Sequence, residues 1–175
     1  MALPAKPPLL SIGVALGSNL GDRLQHLRAG REAVAHWHQG EGPAAVSAIY
    51  ETEPVDCPPG SAPFLNAVME IQTSLNPAAL LEHLRAAEIE LGRAPQAERH
   101  APRPLDLDIL YAGDLRIESP ALVTPHPRMT TRRFVLQPLS DIRPELVLPG
   151  QTRTIATLLA ALPPHPAATL FAADW

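Results

Sequence analysis

Leu105-Asp106-Leu107-Asp108-Ile109-Leu110-Tyr111 decides the fold. Its first five residues alternate apolar and acidic side chains, the period of a strand with one buried and one open face. Ala112-Gly113-Asp114 reads as the turn that ends it. Upstream lies a connection rich in arginine and proline, and before that Asn76-Pro77 opens a helix. There an asparagine side chain can cap a free N–H, and proline fits the first helical position. Leu80, Leu81, Leu84, Ala87 and Leu91 form its apolar stripe, and Gly92 stops it. Phe64 to Thr73 alternates as a strand, with Leu65, Ala67, Met69 and Ile71 on one face and Phe64, Asn66, Val68 and Glu70 on the other. Ala45 to Tyr50 reads as another strand. Leu20, Leu24, Leu27 and Val34 mark an earlier helix with Asp22 in its first turn. The chain begins with the apolar run Leu9 to Leu16, a buried strand that enters a tight turn at Gly17-Ser18-Asn19.

The element order is β-α-β-β-α-β, which predicts an α+β domain with a split βαβ, ferredoxin-like core. Arg132 to Ile142 and Thr152 to Leu162 add two C-terminal helices. Residues 1–175 are expected to form one domain, with 1–8 and 163–175 as peripheral tails, the latter an irregular strap or frayed.

Composition narrows the chemistry. Hydrophobic residues make up 46% of the 175, enough for a sizeable core. The formal charge of −4 offers no nucleic-acid footprint. Of 14 basic residues only Lys6 is a lysine, which removes Schiff-base chemistry and the P-loop lysine from the folded body. One cysteine, Cys57, excludes an internal disulfide and suggests a reducing compartment. With no membrane-length apolar run and no signal peptide, a cytoplasmic location is expected. Seven of the 21 prolines fall in two long connections, Pro54 to Pro63 and Pro95 to Pro104, which bracket the charged strand and are lid candidates.

Asp106 and Asp108 project from one strand face ~6.5 Å apart. Two hard oxygen ligands at that spacing suit Mg²⁺ shared with substrate phosphates; a pair neutralised by nearby arginines is the alternative. Arg93, Arg99 and Arg103 precede the pair, and Arg128, Arg132 and Arg133 follow it. Guanidinium forks match phosphate oxygens, so the set suits phosphoryl transfer, or else it solvates loops. His126 is held between two prolines. Phe64 and Phe134, two of seven aromatics, either pack the core or sandwich a flat ligand.

Val14-Ala15-Leu16-Gly17-Ser18-Asn19-Leu20-Gly21-Asp22, Tyr50-Glu51-Thr52-Glu53-Pro54-Val55, Phe64-Leu65-Asn66-Ala67-Val68, Ala101-Pro102-Arg103-Pro104-Leu105-Asp106-Leu107-Asp108-Ile109-Leu110 and Pro125-His126-Pro127-Arg128 occur in this order. Together they resemble the 6-hydroxymethyl-7,8-dihydropterin pyrophosphokinase family of folate biosynthesis, over roughly Leu9 to Pro149. The resemblance implies transfer of pyrophosphate from ATP to the pterin hydroxymethyl group, with release of AMP. It implies two Mg²⁺ ions on Asp106 and Asp108, with Arg93 and Arg103 joining those carboxylates in catalysis. ATP would be bound by Glu88 on the polar side of its helix, and by Arg93, Arg103, Ile109, His126 and Arg132. Pterin would be bound by Thr52, Val55, Phe64, Asn66 and Phe134. The partners are then small molecules, not nucleic acid or membrane, and a monomer is expected. His100-Ala101, Pro104, Pro95 and Pro127 depart from common family residues and put loop motion and rate in question. A catalytically silent pterin or nucleotide sensor is the first rival, and a ferredoxin-like RNA-binding module the second, disfavoured by charge.

Overall fold

Asp22 and Asn76 start the first two helices as their side chains allow. Asp22 accepts the Gln25 N–H at 3.0 Å and Asn76 the Ala78 N–H at 2.9 Å, with Pro77 at the first helical position. The computed structural model describes residues 8–54, 58–94 and 101–175. In chain order the elements are β1 (Leu10–Ser18), α1 (Arg23–Ala35), β2 (Ala45–Val46), β3 (Ile49–Thr52), β4 (Phe64–Thr73), α2 (Pro77–Glu90) and β5 (Asp106–Ala112). The hairpin β6 (Ile117–Glu118) and β7 (Val123–Thr124) follows, then a 3-10 turn Met129–Thr131, α3 (Arg133–Ile142), α4 (Ile155–Ala161) and β8 (Ala168–Ala172). The main sheet runs β5-β1-β4-β3-β8, with β2 also paired to β4, and every pairing is antiparallel.

Alternation along β4 splits the core into two halves. Leu65, Ala67, Met69 and Ile71 join Ile12, Val14, Leu16, Leu107 and Ile109 beneath α1 and α2. Val68 on the opposite face packs with Leu110, Val135, Leu136 and Leu139, and with Ile155 and Leu158 of α4. The sheet is therefore covered on both faces, and the alternating residues of β4 are nearly all buried. An α+β architecture with an antiparallel sheet and four helices results.

Several local readings change. Gly17 and Ser18 belong to β1, and the turn proper lies at Asn19 to Asp22, where Gly21 takes φ 66°. The expected strand Ala45 to Tyr50 breaks at Ser47-Ala48. The Ser47 hydroxyl accepts the Val68 N–H at 2.9 Å, so a side chain stands in for a ladder carbonyl. The C-terminal tail is not frayed but adds an edge strand: β8 pairs with the outer edge of β3, and the Trp175 indole N–H donates to Ser47 O at 2.8 Å. Open backbone groups on β3 supply the reason.

β5 carries a bulge. Gly13 pairs with Tyr111 and Val14 with Ile109, so Leu110 is the extra residue, and Leu110 and Tyr111 both join the α3 side of the core. The Tyr111 hydroxyl donates to Glu70 at 2.6 Å, and Arg143 holds the other Glu70 oxygen at 2.9 Å. A Cβ on Gly13 would fall within the anchored Tyr111 ring. Gly13→Ala is thus expected to destabilise the fold by about 1–3 kcal/mol, as overpacking does. Urea denaturation checks this, and an unchanged midpoint would show that the ring can retreat.

Candidate active site

A cleft of about 1080 Å³ runs along the end of the sheet, floored by β1, β4 and β5 and walled by α2, α3 and the His126 loop. Thr52, Phe64, Asn66, Glu88, Arg93, Arg103, Asp106, Asp108, Ile109, His126, Arg132 and Phe134 all border it. The side chain of Ile109 is buried with the helical core as well. Val55 lies outside the described residues, as do Arg99, His100, Pro95 and Cys57.

Gly17 is the centre of the floor. It pairs with Asn66 on one side and Asp106 on the other. A Cβ there would meet Asn66 Oδ1 at 3.3 Å, Phe64 at 3.8 Å and Asp106 at 3.9 Å. Absence of a side chain therefore keeps open the space that joins the two ends of the cleft. Sequence reasoning took Gly17 for a turn residue; only the pairing of β1 with both neighbours exposes this role.

At one end, the Asn66 amide donates to Thr52 Oγ1 at 2.7 Å, which fixes the amide orientation and leaves Oδ1 as acceptor beside Gly17. Phe64 opens β4, and Phe134 lies in the first turn of α3 with the Arg132 guanidinium 5.3 Å from its ring centroid.

At the other end, Asp106 Oδ1 meets Arg93 at 3.0 Å and Arg103 at 3.3 Å. Burial first, then the Asp108 charge, push the Asp106 carboxyl above its usual range, while Arg103 and Arg93 pull it back. Asp108, two residues on, is exposed toward the cleft. Of the two alternatives for the acid pair, neutralisation by arginines describes Asp106, while Asp108 stands open to the cleft. Among the described residues no group of three ligating side chains occurs. Two adjacent carboxylates with an open side fit a cation whose remaining ligands come from phosphate oxygens and water, the habit of Mg²⁺.

Glu88 needs a correction. It is 5% exposed and lies on the core-facing stripe of α2 with Leu81 and Leu84, not on its polar side. β5 is an edge strand whose outward Leu107 N–H needs an acceptor, and Glu88 Oε1 takes it at 2.6 Å. Its other oxygen meets Arg93 at 2.6 Å. Burial pushes this carboxyl up to about 7, against the opposing pull of Leu107 N–H and Arg93. Glu88 thereby fixes both β5 and Arg93.

The bulge positions His126, whose backbone N–H donates to Leu110 O at 2.7 Å. Its Nδ1 accepts the Arg128 N–H at 3.2 Å, so the proton of the neutral ring sits on Nε2. Burial, Arg132 and Arg128 lower its pKa and favour that neutral form. Asn19 was missed as part of the site framework: it is buried, its Oδ1 accepts the Arg103 N–H at 2.9 Å, and its own N–H donates to Arg103 O at 3.2 Å.

Residues 13–144 match the profile of the 7,8-dihydro-6-hydroxymethylpterin-pyrophosphokinase (HPPK) family. The chain belongs to this family. It is 49% identical over 129 residues to the 2-amino-4-hydroxy-6-hydroxymethyldihydropteridine pyrophosphokinase of Bacillus subtilis, covering 74% of this chain and 75% of that one. It is 41% identical over 150 residues to the Pseudomonas aeruginosa protein of the same name, covering 86% and 90%. Among solved structures it resembles wild-type Plasmodium falciparum HPPK-DHPS with SDX-DHP, with TM-score 0.68 at 15% identity, over 89% of this chain. That likeness concerns the fold, and this chain spans 45% of the Plasmodium one.

Proposed function

We infer that this chain is an ATP-dependent diphosphotransferase that moves pyrophosphate from ATP to the hydroxymethyl group of 6-hydroxymethyl-7,8-dihydropterin, in folate biosynthesis. The observation that carries the site assignment is the single cleft in which Gly17 links Asn66 to Asp106.

The pterin ring lies between Phe64 and Phe134, where flat apolar faces favour stacking. Asn66 Oδ1 accepts from the ring edge, and Thr52 completes that wall. The hydroxymethyl group then points across Gly17 toward the acid pair. Its oxygen attacks the β-phosphorus, the bond from that phosphorus to the bridging α-oxygen breaks, AMP departs with that oxygen, and the hydroxyl proton leaves to water. Such a transfer asks the protein for positioning and charge neutralisation, not a nucleophile. Arg93 and Arg103 meet phosphate oxygens, Arg132 extends the cationic wall, and His126 donates from Nε2. Asp106 and Asp108 would hold Mg²⁺, as two ions, which would offset the phosphate charge that those carboxylates alone would repel. Glu88 holds Arg93 in line, and Ile109 borders the adenine end.

We treat residues 1–175 as one domain. The strand order β5-β1-β4-β3 with α1 and α2 on one face supports a ferredoxin-like description. A cytoplasmic, monomeric enzyme completes the proposal, its location supported by one cysteine in 175 residues.

Purified protein given ATP, Mg²⁺ and the hydroxymethyl dihydropterin should yield AMP and the pterin diphosphate, resolved by ion-exchange chromatography. No AMP above background at any pH tested would sink the reading.

A further inference from the structure

We propose that the C-terminal segment Leu162–Pro166, tied down by Arg133, is the outer wall of the pterin end of the cleft, which makes Arg133 a positioning residue for pterin binding. This rests on the functional reading above and concerns a segment beyond the family match, which ends at 144, held by an arginine within it.

The segment is fastened at both ends beside residues assigned to pterin. At one end Arg133 opens α3, next to Phe134. Its Nε donates to Pro163 O at 3.1 Å, and its Nη2 donates to Leu162 O and to Pro163 O, both at 2.9 Å. At the other end the chain enters β8, where Ala168 pairs with Thr52. Between these anchors Leu162, Pro163, His165 and Pro166 line the same cleft as Thr52, Phe64 and Phe134.

Chemistry separates this wall from the phosphate end. Leu162, Pro163 and Pro166 supply apolar surface, and with Pro164 the prolines give a stiff backbone that loses little freedom on binding. His165 supplies one imidazole, and the segment carries no charged residue. Such a surface suits an uncharged heterocycle, whereas the phosphates face Arg93, Arg103 and His126. Arg133 directs Nε and Nη2 at two carbonyls, and its planar fork fixes their positions where a flexible ammonium would hold them loosely. Its contribution is therefore geometric: it sets how closely the strap approaches the pterin.

The test is steady-state kinetics of the full chain with each substrate varied in turn, beside calorimetry of the pterin. Arg133→Ala should raise KM and Kd for the pterin about tenfold, with KM for ATP within about twofold and kcat within about threefold of wild type. Arg133→Lys keeps the charge without the fork and should behave like Arg133→Ala. His165→Ala, at an exposed position where folding is not at stake, should also raise the pterin KM. A rise in KM for ATP with the pterin KM unchanged would make Arg133 a phosphate contact and overturn the proposal. So would full recovery in Arg133→Lys, or wild-type pterin KM in both alanine variants. Failure of the wild type itself to release AMP would instead count against the functional reading.

Discussion

Asp108→Asn should lower kcat by at least about 100-fold while leaving the unfolding midpoint where it was. The side chain is exposed in the cleft, so the change removes charge without disturbing packing. In the proposed metal site, losing one of the two carboxylates would forfeit a few kcal/mol of transition-state charge neutralisation, and each 1.36 kcal/mol is tenfold in rate. Asp106→Asn should be at least as damaging for a further reason: its carboxylate also gathers Arg93 and Arg103. The two variants can be told apart by titrating Mg²⁺ at saturating ATP and pterin. Excess metal should restore part of the Asp108→Asn rate by mass action, and much less of the Asp106→Asn rate, because misplaced arginines do not return with metal. Near-normal turnover in either variant would remove that residue from the metal site.

How much of this was legible in the sequence depends on the range of the signal. Period-two alternation in Leu105 to Ile109 placed Asp106 and Asp108 on one face, and they are there. The Asn76 cap involves a neighbour two residues away and was readable for the same reason, whereas Asp22, expected in the first turn of its helix, is the N-cap just outside it. The Leu110 bulge was not readable, because what creates it is Gly13 on another strand yielding room to the Tyr111 ring. Glu88 looked polar by type, yet the demand that buries it comes from an edge N–H nineteen residues away. β8 was hidden similarly: Ala168 to Ala172 lacks alternation, and its pairing exists because β3 leaves an edge open. Long-range pairing placed each of these, and composition or periodicity carries no trace of it. For the site the division is the same. The acid pair and arginines announce themselves by type, whereas Gly17 and Asn19 function through what lies across the sheet from them.

Arg103 offers the sharpest separation of charge from geometry. Its backbone is clasped by Asn19 through two hydrogen bonds, and its Nη1 lies 3.3 Å from Asp106. Among the described residues its buried Nε has no hydrogen-bond partner, an arrangement that leaves a strong donor in a low-dielectric cleft wall. A donor held that way gains most when negative charge develops near it, because no reorganisation is needed at that moment. Arg103→Ala should therefore lower kcat by about 100–1,000-fold, the range for loss of one preorganised donor. Arg103→Lys keeps a positive charge but offers a single ammonium in place of the fork, and should recover less than about a tenth of the lost rate. Single-turnover measurement of AMP release isolates the chemical step from product departure. If the lysine variant matched wild type, Arg103 would be acting as a bulk charge, and the Asn19 clasp would have no catalytic consequence. If Asn19→Ala lowers the rate in wild type but not in Arg103→Ala, the two residues act as one unit, since an effect routed through a guanidinium cannot persist once it is gone.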